Sequence, residues 1–400
     1  MKVKFSKIKL WIIVPYLFFV IVYLFSLMKY GMGNDNSRIR YYVFAIVVVL
    51  AYIPVFKKNI LLKKNGIGKN LFFILIVAFV FFAVSVLKAS EQGMFVPFRT
   101  YVQIALLFMP ALYAFSIINI LSLKDIIKLM EITLFLTIIV YFCDADHTPD
   151  KFFAIDNWKN LSFLNSFTES SLCAEVFLQL FFFFNFYKNL ENKDNSRKLN
   201  FFCWLSFIFT ILSFKRLAVL VACLMLLLNN IINLGGKISK KWIWIFAIIF
   251  TILTVFYFKF VNGELFSDID VYKFTTGRDY ILSLWKRYHY TSYGYGSSML
   301  IIGRYLEMDL IQILLELNVG SLFIFCLAYF KVAQHNVYTM IVMTYIFLNM
   351  LTASSIPYSL GWIIALVSIS SISSDKYVKE GYTFKMQPQR FKRLFSYKKD

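Results

Sequence analysis

Residues 70–87, NLFFILIVAFVFFAVSVL, hold no ionisable side chain. About 20 mainly apolar residues, within a range of roughly 17–25, carry a helix across a bilayer. This stretch meets that length, and its flanks, Lys69 and Lys88, are basic. Working outward from it, comparable runs lie at 8–28, 41–56, 101–121, 126–143, 170–187, 200–214, 217–234, 242–260, 310–330, 338–352 and 357–373. Only Lys215-Arg216 separates 200–214 from 217–234, but the two runs together far exceed one crossing. The expected fold class is an all-α polytopic membrane protein of about twelve spans.

Composition agrees. The chain is 60% hydrophobic and 16% charged, whereas a soluble globular chain averages about 45–50% and about 25%. Its 46 Phe are too many for one soluble core. An ordinary cytoplasmic enzyme is thereby excluded, and the formal charge of +20 is no footprint of nucleic acid.

That charge instead orients the chain, because short cytoplasmic loops retain Lys and Arg. With the N-terminus inside, the larger share of the 42 basic residues falls on cytoplasmic segments: the N-terminal tip, 57–69, 122–128, 188–198, 237–241, Lys331 and the tail. Both termini are therefore expected in the cytoplasm. The first apolar run follows Lys2, Lys4, Lys7 and Lys9 like a signal peptide, yet it is too long for a signal core and reads as the first anchor. Residues 375–400 form a basic tail in which Phe391, Leu394 and Phe395 share one helical face beside Arg390, Lys392 and Arg393, which suits anionic headgroups.

Cys143, Cys173, Cys203, Cys223 and Cys326 lie in or at the edge of spans, so no disulfide framework is expected. No Cys/His pair has zinc-ligand spacing and no nucleotide-binding Gly loop occurs, so neither metal nor cofactor is called for.

Charge at a membrane rim is expensive and marks function. On the cytoplasmic side Glu131 has Lys128 nearby as a partner. The outer side is richer: Glu169, Glu175, Lys215, Arg216, Arg278, Glu307, Asp309 and Glu316, with one long outer loop, 261–308. Lys215-Arg216 offers either snorkelling stems or a cation pair suited to a diphosphate, since Arg binds its oxygens bidentately. Within the loop run Thr275-Thr276-Gly277-Arg278-Asp279, then Trp285-Lys286-Arg287, then Tyr293-Gly294-Tyr295-Gly296-Ser297-Ser298. Asp309, Gln312 and Glu316 fall at i, i+3 and i+7, a polar stripe that reads as the lining of a cavity.

Four pieces in this order resemble the bacterial polysaccharide polymerases of the Wzy type and, more distantly, the O-antigen ligases. Ser166-Phe167-Thr168-Glu169-Ser170-Ser171 resembles the family's F-x-E-P-S, with Ser170 in place of proline. Ser213-Phe214-Lys215-Arg216 resembles its S-x-S-R or S-K-R turn. Thr276-Gly277-Arg278 followed by Gly294-Tyr295-Gly296 resembles S-G-R…G-x-G. Glu307 through Gly320 resembles H-N-D-x-L-Q-x-L-x-E-x-G, with Glu307 replacing His and Met308 replacing Asn.

The resemblance implies a glycosyltransferase of the bacterial plasma membrane. It would move a growing glycan from a polyprenyl-diphosphate carrier onto a new lipid-linked repeat unit at the outer face. Donor and acceptor are then both polyprenyl-diphosphate-linked oligosaccharides, membrane lipid surrounds the chain, and a chain-length regulator is a candidate partner. Arg216 and Arg278, assisted by Lys215, are expected to stabilise charge on the leaving diphosphate. Glu307, or failing it Asp309, is expected to take the acceptor's proton. Glu169, Tyr293, Gly294, Gly296, Gln312 and Glu316 are expected to bind substrate. The rivals are a ligase-type transfer to another acceptor, a transporter of lipid-linked oligosaccharide, and a structural component of an export complex. Against the transporter, no internal repeat of the kind common in carriers is evident.

Overall fold

A computed structural model describes residues 7–31, 39–57, 66–143, 170–188, 196–231, 234–265, 278–287, 291–303, 306–353 and 359–372. The basic tail, Glu169 and residues 275–277 lie outside these. Every regular element among the described residues is a helix: α1 (Lys7–Gly31), α2 (Ile39–Lys57), α3 (Gly66–Glu91), α4 (Phe98–Ile120), α5 (Leu123–Cys143), α6 (Ser171–Lys188), α7 (Ser196–Leu212), α8 (Arg216–Ile231), α9 (Lys240–Val261), α10 (Arg278–Arg287), α11 (Ser297–Ile301), α12 (Asp309–Glu316), α13 (Val319–Val332), α14 (Val337–Thr352) and α15 (Ser359–Ile372). Five stretches within α1, α3, α4, α5 and α9 are long and apolar enough to cross a membrane.

Apolar side chains fill the interior and also cover much of the described surface, unlike those of a soluble bundle. Helices α6 and α15 are mainly apolar and buried over 173–186 and 360–372, which fits the centre of a bundle. The outer helices turn large apolar side chains outward: Phe79 is 71% exposed, Val49 67% and Ile252 62%. A water-facing surface of that kind would aggregate, whereas lipid solvates it. Central α6 packs in a hairpin with α7 and lies against α15, α5 and α8, while α15 also packs on α4.

Some polar contacts between helices, such as Tyr16 Oη with Thr133 Oγ1 and Tyr52 Oη to the Leu112 carbonyl, lie within the bundle, and others gather toward its two ends. At one end, Lys9 pairs with Asp125 at 2.6 Å, Lys198 pairs with Glu131 at 2.7 Å, and Asn185 joins Asn229 and Tyr338. Glu131 thus reaches across to α7 instead of along its own helix to Lys128. A strand-like bridge between Lys237 and Asn336 ties two connections at the same end. At the opposite end, the Ser170 N–H donates to the Ser213 carbonyl at 3.2 Å, and Tyr141 Oη donates to the Leu212 carbonyl.

The run at 310–330 departs from the sequence expectation. It is not one helix but two, α12 and α13, broken at Leu317–Asn318. Asn318 is extended, and its side-chain oxygen accepts from the Ser321 N–H at 2.8 Å. That is an N-cap, and Asn is among the best residues for it. The last carbonyl of α12, on Glu316, accepts from Ser292 Oγ, so the break leaves that group satisfied.

Candidate functional site

The loop between α10 and α12 is built around two glycines. Gly294 holds φ +113° and Gly296 holds φ +85°, a region that favours glycine. Space adds to the demand: a Cβ on Gly294 would lie 2.5 Å from Cβ of Ser85 on α3, and one on Gly296 would lie 2.7 Å from Cγ of Gln103 on α4. Between them, Tyr295 is buried against Phe81 with ring centroids 5.2 Å apart, and its N–H donates to Ser85 Oγ at 3.1 Å.

Glu316 closes this loop from the other side. It is fully buried, and its carboxylate accepts from the Gly296 N–H at 2.6 Å, the Ser298 N–H at 2.8 Å and Gln312 Nε2 at 3.0 Å. A buried carboxylate needs such donors to replace water. The polar stripe of α12 is thus directed at the loop: Glu316 clamps its backbone, Gln312 braces the Glu316 carboxylate, and Asp309 is buried with them. Tyr293 lies half-buried at the loop's edge. Because three donors depend on one side chain, Glu316→Ala should destabilise the fold by about 2–4 kcal/mol, at roughly 1–3 kcal/mol per orphaned donor with partial relaxation. Hydrogen exchange at the Gly296 and Ser298 amides should accelerate in step, and unchanged protection there would refute the clamp.

The turn 213–216 forms a second cluster. Phe214 holds φ 51°, Ser213 Oγ donates to the Phe209 carbonyl at 2.6 Å, and the Ser213 carbonyl receives Ser170 at the head of α6. Ser170 Oγ in turn accepts from the Cys173 N–H at 3.4 Å, so the residue standing at the proline position starts the helix. Lys215 is drawn inward to Glu175, 4.0 Å away, which also accepts from Asn349 Nδ2 at 3.3 Å. Arg216 is exposed.

Arg216 and Arg278 share a feature that spacing did not reveal: each is the first residue of its helix, α8 and α10. The helix dipole disfavours a cation there and favours an anion. A bound anion would relieve both conflicts. Arg278 lies within electrostatic range of Tyr257 on α9, so the described surroundings of Lys215 and Arg278 belong to different helices. No protein-family model, no curated protein and no solved structure matches this chain.

Glu307 is exposed and holds φ 59°, while Met308 and Asp309 on either side of the helix start are buried. A non-glycine residue in the left-handed region costs of order 1–3 kcal/mol and persists where its surroundings impose it, often at functional sites. Of the two carboxylates, Glu307 is the one within reach of an outside molecule. The two clusters are connected through α14: α12 packs on it, and its Asn349 reaches Glu175.

Proposed function

We propose that the chain crosses the bacterial plasma membrane twelve times, with both termini cytoplasmic, and polymerises a lipid-linked glycan at the outer face. Growing glycan would pass from its polyprenyl diphosphate to the acceptor hydroxyl of a new lipid-linked repeat unit. The observation that carries the proposal is that the four motif-bearing segments meet two by two, with α14 in contact with both pairs. Ser170 meets Ser213, Glu316 holds Gly296 and Ser298, and α14 touches both groups.

The topology draws support from the polar contacts at the two ends. Twelve alternating crossings place Lys9, Asp125, Lys198, Glu131, Asn185 and Tyr338 near the cytoplasm. They place Ser85, Ser170, Ser213, Glu175, Asn349 and Glu316 near the outside. Each of these contacts then joins residues assigned to the same side. Single cysteines placed in 144–169 or 266–277 of a cysteine-free chain should react with a membrane-impermeant thiol reagent on intact cells, and those in 58–65 should react only after lysis. The reverse pattern would overturn the orientation.

In mechanism, Arg216 and Arg278 hold the diphosphate, whose developing negative charge they neutralise as the sugar–phosphate bond breaks. Glu307 accepts the proton of the attacking hydroxyl. Glu316, Gln312, Gly294 and Gly296 fix the loop that borders the acceptor, and Lys215, tied to Glu175, supports the turn that presents Arg216. The apolar outer helices leave lipid-facing surface for the polyprenyl chains. Cells lacking the chain should accumulate single lipid-linked repeat units and lose polymer. Polymer of wild-type length in those cells would exclude the proposal.

A further inference from the structure

The least explained buried groups lie on the faces that α6 and α14 turn toward each other. Glu175 and Gln179 stand at i, i+4 on α6, and Tyr345 and Asn349 stand at i, i+4 on α14, so each pair shares a helix face. The helices are antiparallel and their relative register is fixed at two levels. Asn349 Nδ2 donates to Glu175 Oε2 at 3.3 Å toward one end. Toward the other, Tyr338 Oη donates to the Phe182 carbonyl at 2.6 Å, and the Tyr345 ring meets Phe182 at 5.9 Å between centroids. Gln179 and Tyr345 fall at the level between.

Gln179 is 0% exposed and Tyr345 1%. Neither the nitrogen nor the oxygen of the Gln179 amide has a hydrogen-bond partner, and the Tyr345 hydroxyl has none either, among the described residues. Tyr345 also lies within electrostatic range of the Glu175 carboxylate. Farther along α6 the polar side chains are paired: Asn185 with Asn229 and Tyr338, and Tyr187 with Ser371. Hydrogen-bonded pairs mark both ends of the seam, and between them neither Gln179 nor the Tyr345 hydroxyl is bonded. In the interior of a membrane protein such groups demand a partner, since bulk water cannot reach them.

We propose that Gln179 and Tyr345, beside Glu175, form a buried binding site for a hydroxyl group. The open groups define the ligand. The Gln179 amide presents donors and an acceptor together, and the phenol does both, so the occupant must donate and accept. A bare cation would leave the amide N–H groups unmet, an anion would face Glu175, and an apolar molecule would satisfy nothing. Water and a saccharide hydroxyl share the required chemistry. The site is independent of the glycan-transfer reading and stands if that reading falls.

X-ray hydroxyl-radical footprinting of the purified full-length chain in lipid nanodiscs, without added saccharide, tests it, because radiolysis of a water held in the site releases hydroxyl radical beside the phenol ring even when that ring is buried. Tyr345 should be oxidised several-fold faster than Tyr16 and Phe44, which are buried to 0% exposure. Gln179→Leu should bring Tyr345 down to the rate of those controls. Protection of Tyr345 by added soluble oligosaccharide shows that a sugar hydroxyl displaces this water, and indifference to it identifies water as the occupant. Oxidation of Tyr345 no faster than Tyr16 and Phe44 in the unsubstituted chain overturns the site. So does a well-folded Gln179→Leu protein that retains the fast rate.

Discussion

Arg216→Ala and Arg278→Ala should each abolish polymer while leaving the amount of protein in the membrane unchanged. Removing one preorganised charge-stabilising group typically costs about 10²–10³ in rate. Here the two arginines are the groups assigned to the leaving diphosphate. Their positions sharpen the expectation, because each opens a helix, α8 and α10, where a cation is disfavoured until an anion arrives. The helix dipole should therefore not penalise removal of either, and thermal unfolding of the purified variants separates any loss of stability from loss of polymer. Arg→Lys at either position should retain part of the activity, since a point charge replaces the bidentate fork. Polymer of wild-type length from either alanine variant would remove the arginines from the chemistry.

Glu307→Gln should lower the elongation rate by about 10²–10⁴, the usual worth of a general base. Asp309→Asn should be milder for the chemical step, because Asp309 is 2% exposed at the start of α12 whereas Glu307 is open to solvent. The backbone supplies a control. Glu307 holds φ 59°, so Glu307→Gly relieves a left-handed conformation while deleting the carboxylate. That variant should be at least as stable as the parent and equally inactive. Full activity in Glu307→Gln together with a collapse in Asp309→Asn would transfer the role to Asp309.

The helices were legible because lipid imposes a simple demand: an uninterrupted apolar run satisfies the bilayer, and its length can be read off the chain. The break at Asn318 escaped that reading. A single Asn between Leu317 and Val319 does not interrupt a long apolar run, and the signal was a capping residue followed three positions later by Ser321. The polar spacing of the motif residues was legible in the sequence, but their geometry was not. Glu316 and Gln312 showed their polar spacing, yet only the fold brings Gly296 and Ser298 onto that carboxylate. Charge partners failed for the same reason. Glu131 had Lys128 within one turn, but Lys198 on a neighbouring helix reaches it at 2.7 Å. Gln179 and Tyr345 are separated by far too much sequence for any spacing rule to join them.

The most direct measurement is made on the purified chain in sealed proteoliposomes supplied with a polyprenyl-diphosphate-linked repeat unit and no nucleotide sugar. Products separated by size should form a ladder of lipid-linked glycans, each longer than the last by one repeat, and the ladder should vanish with Arg278→Ala. Lipid-linked units that cross the bilayer but keep their original length would contradict a polymerase and identify a transporter.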